Sequence, residues 1–281
     1  MKKIIILIFL FCLSINLTIA QGQQWTWGGG GNGQTIIDTV NRYKYLDPAT
    51  ARIFGHWVNP YADTSNLETI NNIIIALKSD GTWDLLSDVG YFRLNDSNNC
   101  EISWKKNKLM GSNGCTFIPN VGIKGSTTGA IRWITNLNPT ADNLCTQDNA
   151  SFGCYVATAP TTTDNYYLFT IGSVYFGIEM YRGTDYYPAI NSAQLAIHQI
   201  LRTGLQIVSR TQADSLSFFL GYNNYYTKVA APSILLVDVT IILLGWSQGG
   251  NNFPCDAVIS YFFIGTGLTE SNMLTIKNAF K

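Results

Sequence analysis

The sequence predicts an all-β chain, an antiparallel sandwich or barrel with short helices flanking it, and three observations carry that expectation. From Cys115 onward, short runs of β-branched and aromatic residues are separated by Gly, Asn, Asp and Pro at intervals that suit hairpins rather than βαβ units. Aromatic residues make up 13% of the 281 positions and charged residues another 13%, half the ordinary charged share of ~25%, which excludes a disordered chain or a coiled coil. Basic and acidic side chains balance at 18 each, so no cationic excess is available for nucleic-acid binding, and that class of partner is set aside.

Taken in order, the chain begins with Lys2 and Lys3, an apolar run from Ile4 to Leu13, and Leu17, Thr18, Ile19 and Ala20 before Gln21. This is the pattern of a secretory signal peptide cleaved after Ala20, and the expected location is secreted or extracellular. The apolar core is shorter than the ~20 residues of a comfortable membrane span, which leaves an uncleaved anchor as the alternative. Gly28 to Gly31 with Gly33 suit a flexible tether. Tyr43, Tyr45, Phe54 and Trp57 then punctuate an irregular stretch, read as an N-terminal annex with a soft boundary near Asn66. The expected organisation is therefore 1–20 signal, 21–66 leader and annex, and 67–281 sandwich.

Ser65 followed three residues later by Glu68 predicts a capping box, and Leu67, Ile70, Ile73, Ile74 and Leu77 recur at helical spacing until Gly81 stops the helix. A second helical turn is expected over 82–86. Strands are expected at 116–118, 130–135, 154–158, 166–171, 174–182, 195–200, 205–210, 215–221, 225–229, 234–246 and 257–264. Val174, Phe176, Ile178 and Met180 alternate with Tyr175, Gly177, Glu179 and Tyr181, the pattern of a half-buried strand. The nearly continuous apolar run from Ile234 to Leu244 reads as a buried strand. Thr269 is the expected N-cap of a last helix with Met273, Leu274, Ile276 and Phe280 on its apolar face, covering an edge or end of the sandwich.

In an exported chain the cysteines beyond the signal would tend to pair. Sequence proximity favours Cys100 with Cys115 and Cys145 with Cys154, leaving Cys255 free; five reduced thiols are the alternative. No C-x-x-C occurs and His56 and His198 lie far apart, so zinc is not expected.

Four segments, LETINNIIIALKSDGTWDLL (67–86), CTFIPNVGIKGSTTGAIRWITNLNP (115–139), QIVSRTQADSLSFFLGYN (206–223) and ISYFFIGTGLTESNMLTIKNAF (259–280), together resemble the concanavalin A-like (LamG-like) jelly-roll domain of bacteriophage virion and tail-associated proteins and of secreted bacterial proteins. The phrase FIGTGLTESNM is the strongest part. The resemblance spans residues 67 to 281 and implies an antiparallel jelly-roll β-sandwich with short helices at both ends. It further implies a sheet face used for glycan contact and, in some relatives, a calcium ion at the rim.

For chemistry, glycosidases need two carboxyl groups about 5 to 10 Å apart. Glu68 and Glu270 sit at helix starts, where the dipole accounts for them, and Glu179 with Asp185 lacks an alternating carboxylate pattern. No G-x-S-x-G is present. Sugar binding asks for aromatic faces beside amide and carboxylate groups. Three candidate turns have that mixture: Tyr181, Arg182, Asp185 and Tyr186; Tyr222, Asn223 and Tyr225; and Trp246 with the Asn-rich segment after it. Asp142, Asn143, Asp148 and Asn149 could offer oxygen ligands to Ca2+, although a plain Asx-rich loop explains them as well. The expectation is an exported non-catalytic module that binds a glycan or cell-surface polysaccharide. A structural virion or tail component, making contacts with virion proteins or with its own copies, is the alternative, and a glycosidase is a minor third.

Overall fold

A computed structural model of the chain describes residues 46–281 apart from 128–131, 162–165, 168, 171–174, 181–184, 193–196, 199–202, 237, 239 and 249–250. The signal, the tether and the first aromatics of the annex lie outside the described residues. Leu46–Lys281 is a compact unit in its own right.

Helix α1, Pro48–His56, starts where Asp47 accepts the Ala49 N–H at 2.8 Å, with Pro48 at the first position, where its missing N–H costs nothing. A 3₁₀ segment, Pro60–Asn66, leads directly into α2, Leu67–Lys78. The expected capping box is not formed: the N-cap is Asn66 without a side-chain bond, and Ser65 instead accepts from Asn95. Buried Asp63 takes over the organising role, accepting from the Asn66 amide at 3.1 Å, the Asn99 amide at 2.7 Å and the backbone N–H groups of Asn95 and Asp96. This ties residues 59–66 to the chain after Asn95. Ile53 and Trp57 join the same hydrophobic core as the strands. The apolar stripe of α2 is buried as its spacing predicts. Gly81, at φ 80°, turns the chain into the short α3, Thr82–Leu85, before the first strand.

In chain order the next elements are β1 Leu86–Tyr91, α4 Ser97–Cys100, β2 Gly111–Asn113, β3 Thr116–Ile118, β4 Gly122–Lys124, β5 Arg132–Ile134 and β6 Ala150–Thr158. They continue with β7 Tyr166–Tyr167, β8 Phe169–Thr170, β9 Tyr175–Met180, β10 Asp185–Ser192, β11 Ile197–His198, β12 Gly204–Gln212, β13 Ser215–Leu220 and β14 Tyr225–Ala230. The chain closes with β15 Ile242–Leu243, β16 Gly245–Gln248, β17 Asn251–Pro254, β18 Val258–Gly265 and α5 Glu270–Ala279.

The result is an all-β sandwich built from antiparallel sheets. The large sheet runs β14-β13-β12-β6-β18-β4-β3, and β1 also pairs with β18. Strand β18 thus takes β4 along Val258 and Ile259 and β1 from Tyr261 to Gly265. The opposing layer consists of β11-β10-β9-β7 and β2-β5-β15-β8, with β10 packed on β6, β12 and β13. All eight residues of β18 are buried, because both faces of this strand are covered. Phe262 faces the layer between the sheets: it stacks on Phe92 at 5.8 Å, and Phe92 meets Trp133 of β5 edge-on at 5.3 Å. Tyr261, one residue earlier, points to the other face, where the helices lie.

Four further expectations need correction. The run Ile234–Leu244 is not a buried strand: Ile234 and Leu235 are 59% and 57% exposed, among the described residues up to Trp246 strand forms only at β15 and the start of β16, and Leu244 at φ 61° breaks the strand between the two. The stretch 185–187 is not turn but the start of β10, registered against β9 with Tyr186 opposite Met180. The last helix lies over a sheet face rather than an edge, because Phe280 packs on Tyr261 with ring centroids 4.1 Å apart. Its Thr269 N-cap is as predicted, with Thr269 and Asn272 forming a reciprocal capping box.

The fourth correction is the disulfides. Cys100, Cys115, Cys145, Cys154 and Cys255 are all free thiols. Thr146 and Asn149 bridge across a tight turn, which leaves Cys145 beside Ala150, and Cys154 lies four strand residues further on. At ~3.3 Å per residue that is roughly 13 Å, well beyond the ~7 Å a disulfide spans between Cα atoms. Burial pushes the Cys145 and Cys255 thiols up to about 12, which keeps them protonated and unreactive.

Candidate functional site

The helix-side face of the large sheet carries a row of residues set by strand register. Tyr91 of β1 lies opposite Tyr261 of β18, Tyr261 opposite Tyr155 of β6, and Tyr155 opposite Leu205 of β12; the Gly221 N–H then bonds the Leu205 carbonyl at 2.8 Å. Directly opposed residues share a face, so the row is continuous across the sheet. Helix α5 covers its β1 end. Beyond the helix the face opens into a groove of about 690 Å³.

Tyr155 and Tyr261 stack at 5.5 Å in the wall of this groove, and Phe280 closes its helix side. Gly204 and Gly221 keep the far end low, since a Cβ on Gly221 would fall 2.9 Å from the Leu205 Cβ. Tyr222 stands at that end, 60% exposed. Arg93, Asn120, Val121 and Ser260 line the opposite side, while Lys277 of the terminal helix and Lys281, two residues past its end, line the groove as well. Phe92, the residue before Arg93, is anchored by its N–H to the Ser260 carbonyl at 2.8 Å, which fixes where Arg93 leaves the sheet. Lys277 donates to the side-chain amide oxygen of Asn224, tying α5 to the turn between β13 and β14. Burial raises the Tyr261 hydroxyl well above its ordinary pKa, so it remains a neutral donor at any physiological pH.

Of the residues singled out from sequence, Tyr222 lines the groove. Asn223 does not: its side chain accepts the Tyr225 N–H at 3.1 Å and shapes the turn, and Tyr225 on β14 packs against the core. Tyr181 and Arg182 lie outside the described residues. Asp185 and Tyr186 are placed only as backbone in β10, and Trp246 only in β16, paired with Phe253 of β17. The possible calcium ligands are engaged separately. Asp142 pairs with Lys108 at 2.8 Å, Asp148 accepts from Ser233 at 2.5 Å, and Asn149 accepts the Gly267 N–H at 2.6 Å. Asn143 occupies a left-handed turn position at φ 51°. Sequence reasoning missed Arg93, Asn120, Tyr155, Tyr261 and Lys277. The alternation of Tyr155 and Tyr261 within their strands was readable, but the register that sets them side by side was not.

No protein-family profile matches the chain, and no curated protein does. Solved structures do superpose on it. A mutant Trypanosoma rangeli sialidase displaying trans-sialidase activity aligns with a TM-score of 0.51 and 9% identity, over 77% of this chain and 40% of that one. The binding domain of botulinum neurotoxin serotype D aligns with a TM-score of 0.50 and 12% identity, over 69% of this chain and 52% of that one. A tailspike protein 2 domain of bacteriophage CBA120 reaches a TM-score of only 0.40 at 9% identity, covering 57% of this chain and 27% of that one, and carries no argument. The chain thus spans about half or less of the length of these proteins. At such identities the likeness concerns the fold alone, and the fold it identifies is the antiparallel β-sandwich.

Proposed function

We propose that this chain is an exported, non-catalytic glycan-binding module of concanavalin A-like type, and that the groove over Tyr155 and Tyr222 is its binding site. The observation that carries the reading is the open half of the aromatic row. An exposed Tyr ring beside hydroxyl, amide and cationic groups supplies both contacts a pyranose needs: an apolar face to stack on and hydrogen-bond partners for its hydroxyls. The sandwich fold itself is shared with a sialidase and with a toxin's binding domain, so the choice between hydrolysis and binding rests on the site. Among the described residues, the side chains lining the groove bring three cations and no Asp or Glu, whereas glycoside hydrolysis by the common mechanism needs a carboxyl pair. Export rests on the first 20 residues, with Lys2 and Lys3 ahead of the apolar run.

The test is binding of the whole secreted chain to a broad glycan array, with and without a calcium chelator. Binding to a defined set of glycans, insensitive to chelation and weakened at least tenfold by Tyr222→Ala, is the expected result. A folded protein that binds nothing on the array overturns the reading. The alternative, an assembly component making protein contacts, then becomes the better account, with self-association by sedimentation as its measurement.

A further inference from the structure

We infer that the groove selects acidic glycans, recognising a sugar carboxylate through Arg93 with Lys277 and Lys281 in support; this rests on the glycan-binding reading above. The chain as a whole is neutral, with 18 basic and 18 acidic side chains, so a groove whose ionic side chains, among the described residues, are all cations is a local concentration and not a reflection of composition. The ion pairs seen among the described residues, Lys78 with Asp47 and Lys108 with Asp142, involve none of the three. Lys277 is held in place by a neutral partner, the Asn224 side-chain amide, and among the described residues it makes no ion pair. Arg93 is half-buried and leaves the sheet from backbone fixed to β18 by the Phe92 N–H to the Ser260 carbonyl.

The chemistry of these groups favours a carboxylate. A guanidinium presents a planar fork that matches the two carboxylate oxygens, and its partial desolvation in the groove makes that contact stronger than a rim ammonium would be. Lys277 is half-buried and Lys281 exposed, and their charges beside Arg93 raise the local concentration of an anion and speed its encounter. Tyr155 and Tyr222 then contact the ring of the sugar. The volume of about 690 Å³ falls within the roughly 300–1,000 Å³ range of small-molecule sites.

The experiment titrates the full chain with matched pairs: oligogalacturonates against oligogalactosides, and oligomannuronates against oligomannosides, at low and high salt, with a sulfated galactan as a charge control. At least a tenfold preference for an acidic member is expected, shrinking as salt rises, abolished in Arg93→Gln and reduced severalfold in Lys277→Gln. Arg93→Lys keeps the charge but loses the fork, and should recover only part of the preference. Lys277→Gln also serves if Arg93→Gln does not fold, as judged by thermal unfolding. Equal binding of neutral and acidic members overturns the acidic-glycan inference and leaves the glycan reading standing. Failure to bind any member of either pair overturns the acidic-glycan inference, while the broad array decides the glycan reading beneath it. Equal affinity for sulfated and carboxylated probes, unchanged in Arg93→Lys, overturns the carboxylate assignment.

Discussion

Along one face of the large sheet, the same aromatic row is treated in two ways. At its β1 end Tyr91, Trp104, Tyr261 and Phe280 close on one another, with Phe280 stacked 4.1 Å from Tyr261 and 6.2 Å from Trp104, and Trp104 held by its N–H to the Val89 carbonyl. At its β12 end Tyr155 and Tyr222 carry no helix, and two glycines keep the surface low. Tyr261 is 1% exposed and Tyr222 60%, although each is a Tyr on or beside a strand of the same sheet. An aromatic residue on a sheet face is therefore core or binding surface according to what covers it, and coverage ends where α5 ends.

Removing the cover should produce the largest effect. Phe280→Ala deletes the ring that clamps the terminal helix to Tyr261, and a loss of about 3–5 kcal/mol in denaturant unfolding is expected. A loss below ~1 kcal/mol would break the comparison, since the helix would then be resting on the sheet without being fastened to it.

Glycines on the two halves sharpen the contrast. Gly153 faces the covered side, where an added Cβ would lie 2.3 Å from the Phe263 ring and 3.0 Å from the Gln206 carbonyl. Gly153→Ala should cost roughly 1–3 kcal/mol by overpacking. Gly221→Ala, at the groove end, brings its Cβ to 2.9 Å from the Leu205 Cβ and should cost about 1 kcal/mol, at the low end of that range because the approach is less close than at Gly153. Equal losses, measured by the same unfolding curves, would argue that the groove end is packed as tightly as the covered end.

The covered half also predicts a pH dependence. Burial raises the pKa of Asp88 on β1 above its ordinary 3.8, even though its carboxylate accepts the Val89 and Lys105 N–H groups. The folded chain then holds this proton to higher pH than the unfolded chain does. The contribution to stability is complete below the unfolded value and is lost as pH rises through the folded one. Asp88→Asn should flatten the decline of stability with pH above about 4, where the unfolded carboxyl ionises. An identical slope in wild type and variant, from unfolding measured at a series of pH values, would show that Asp88 is solvated.

Tyr222→Ala should have the smallest effect on stability, within about 0.5 kcal/mol, because the side chain is mostly exposed. Its effect should fall on glycan affinity. Stability lost in proportion to affinity would erase the distinction between the two halves.

Local signals served well where the chain answers to its neighbours in sequence. The stripe of α2, the Gly81 stop, the Thr269 cap and strands such as β13 and β14 all follow from side-chain periodicity and turn chemistry within a few residues. Strand β1 was not foreseen because Asp88 and Gly90 interrupt its apolar pattern. Gly90 is explained only by the Phe262 ring, which would lie 2.1 Å from its Cβ. The capping box at Ser65 failed for a similar reason, since distant Asn95 and Asn99 bond into that segment. Within the groove only Tyr222 was legible, as an aromatic residue next to a turn. Arg93, Asn120, Tyr155 and Lys277 come from separate elements and give no shared local pattern.

By itself, then, the sequence determined an antiparallel, strand-rich sandwich with a helix at either end, because pattern and turn residues act over short distances. Tertiary structure alone decided which faces are covered, which thiols stay apart, and that Arg93, Tyr155 and Lys277 line one groove. Those outcomes depend on strand register and on where α5 lies, and neither is encoded in any one segment.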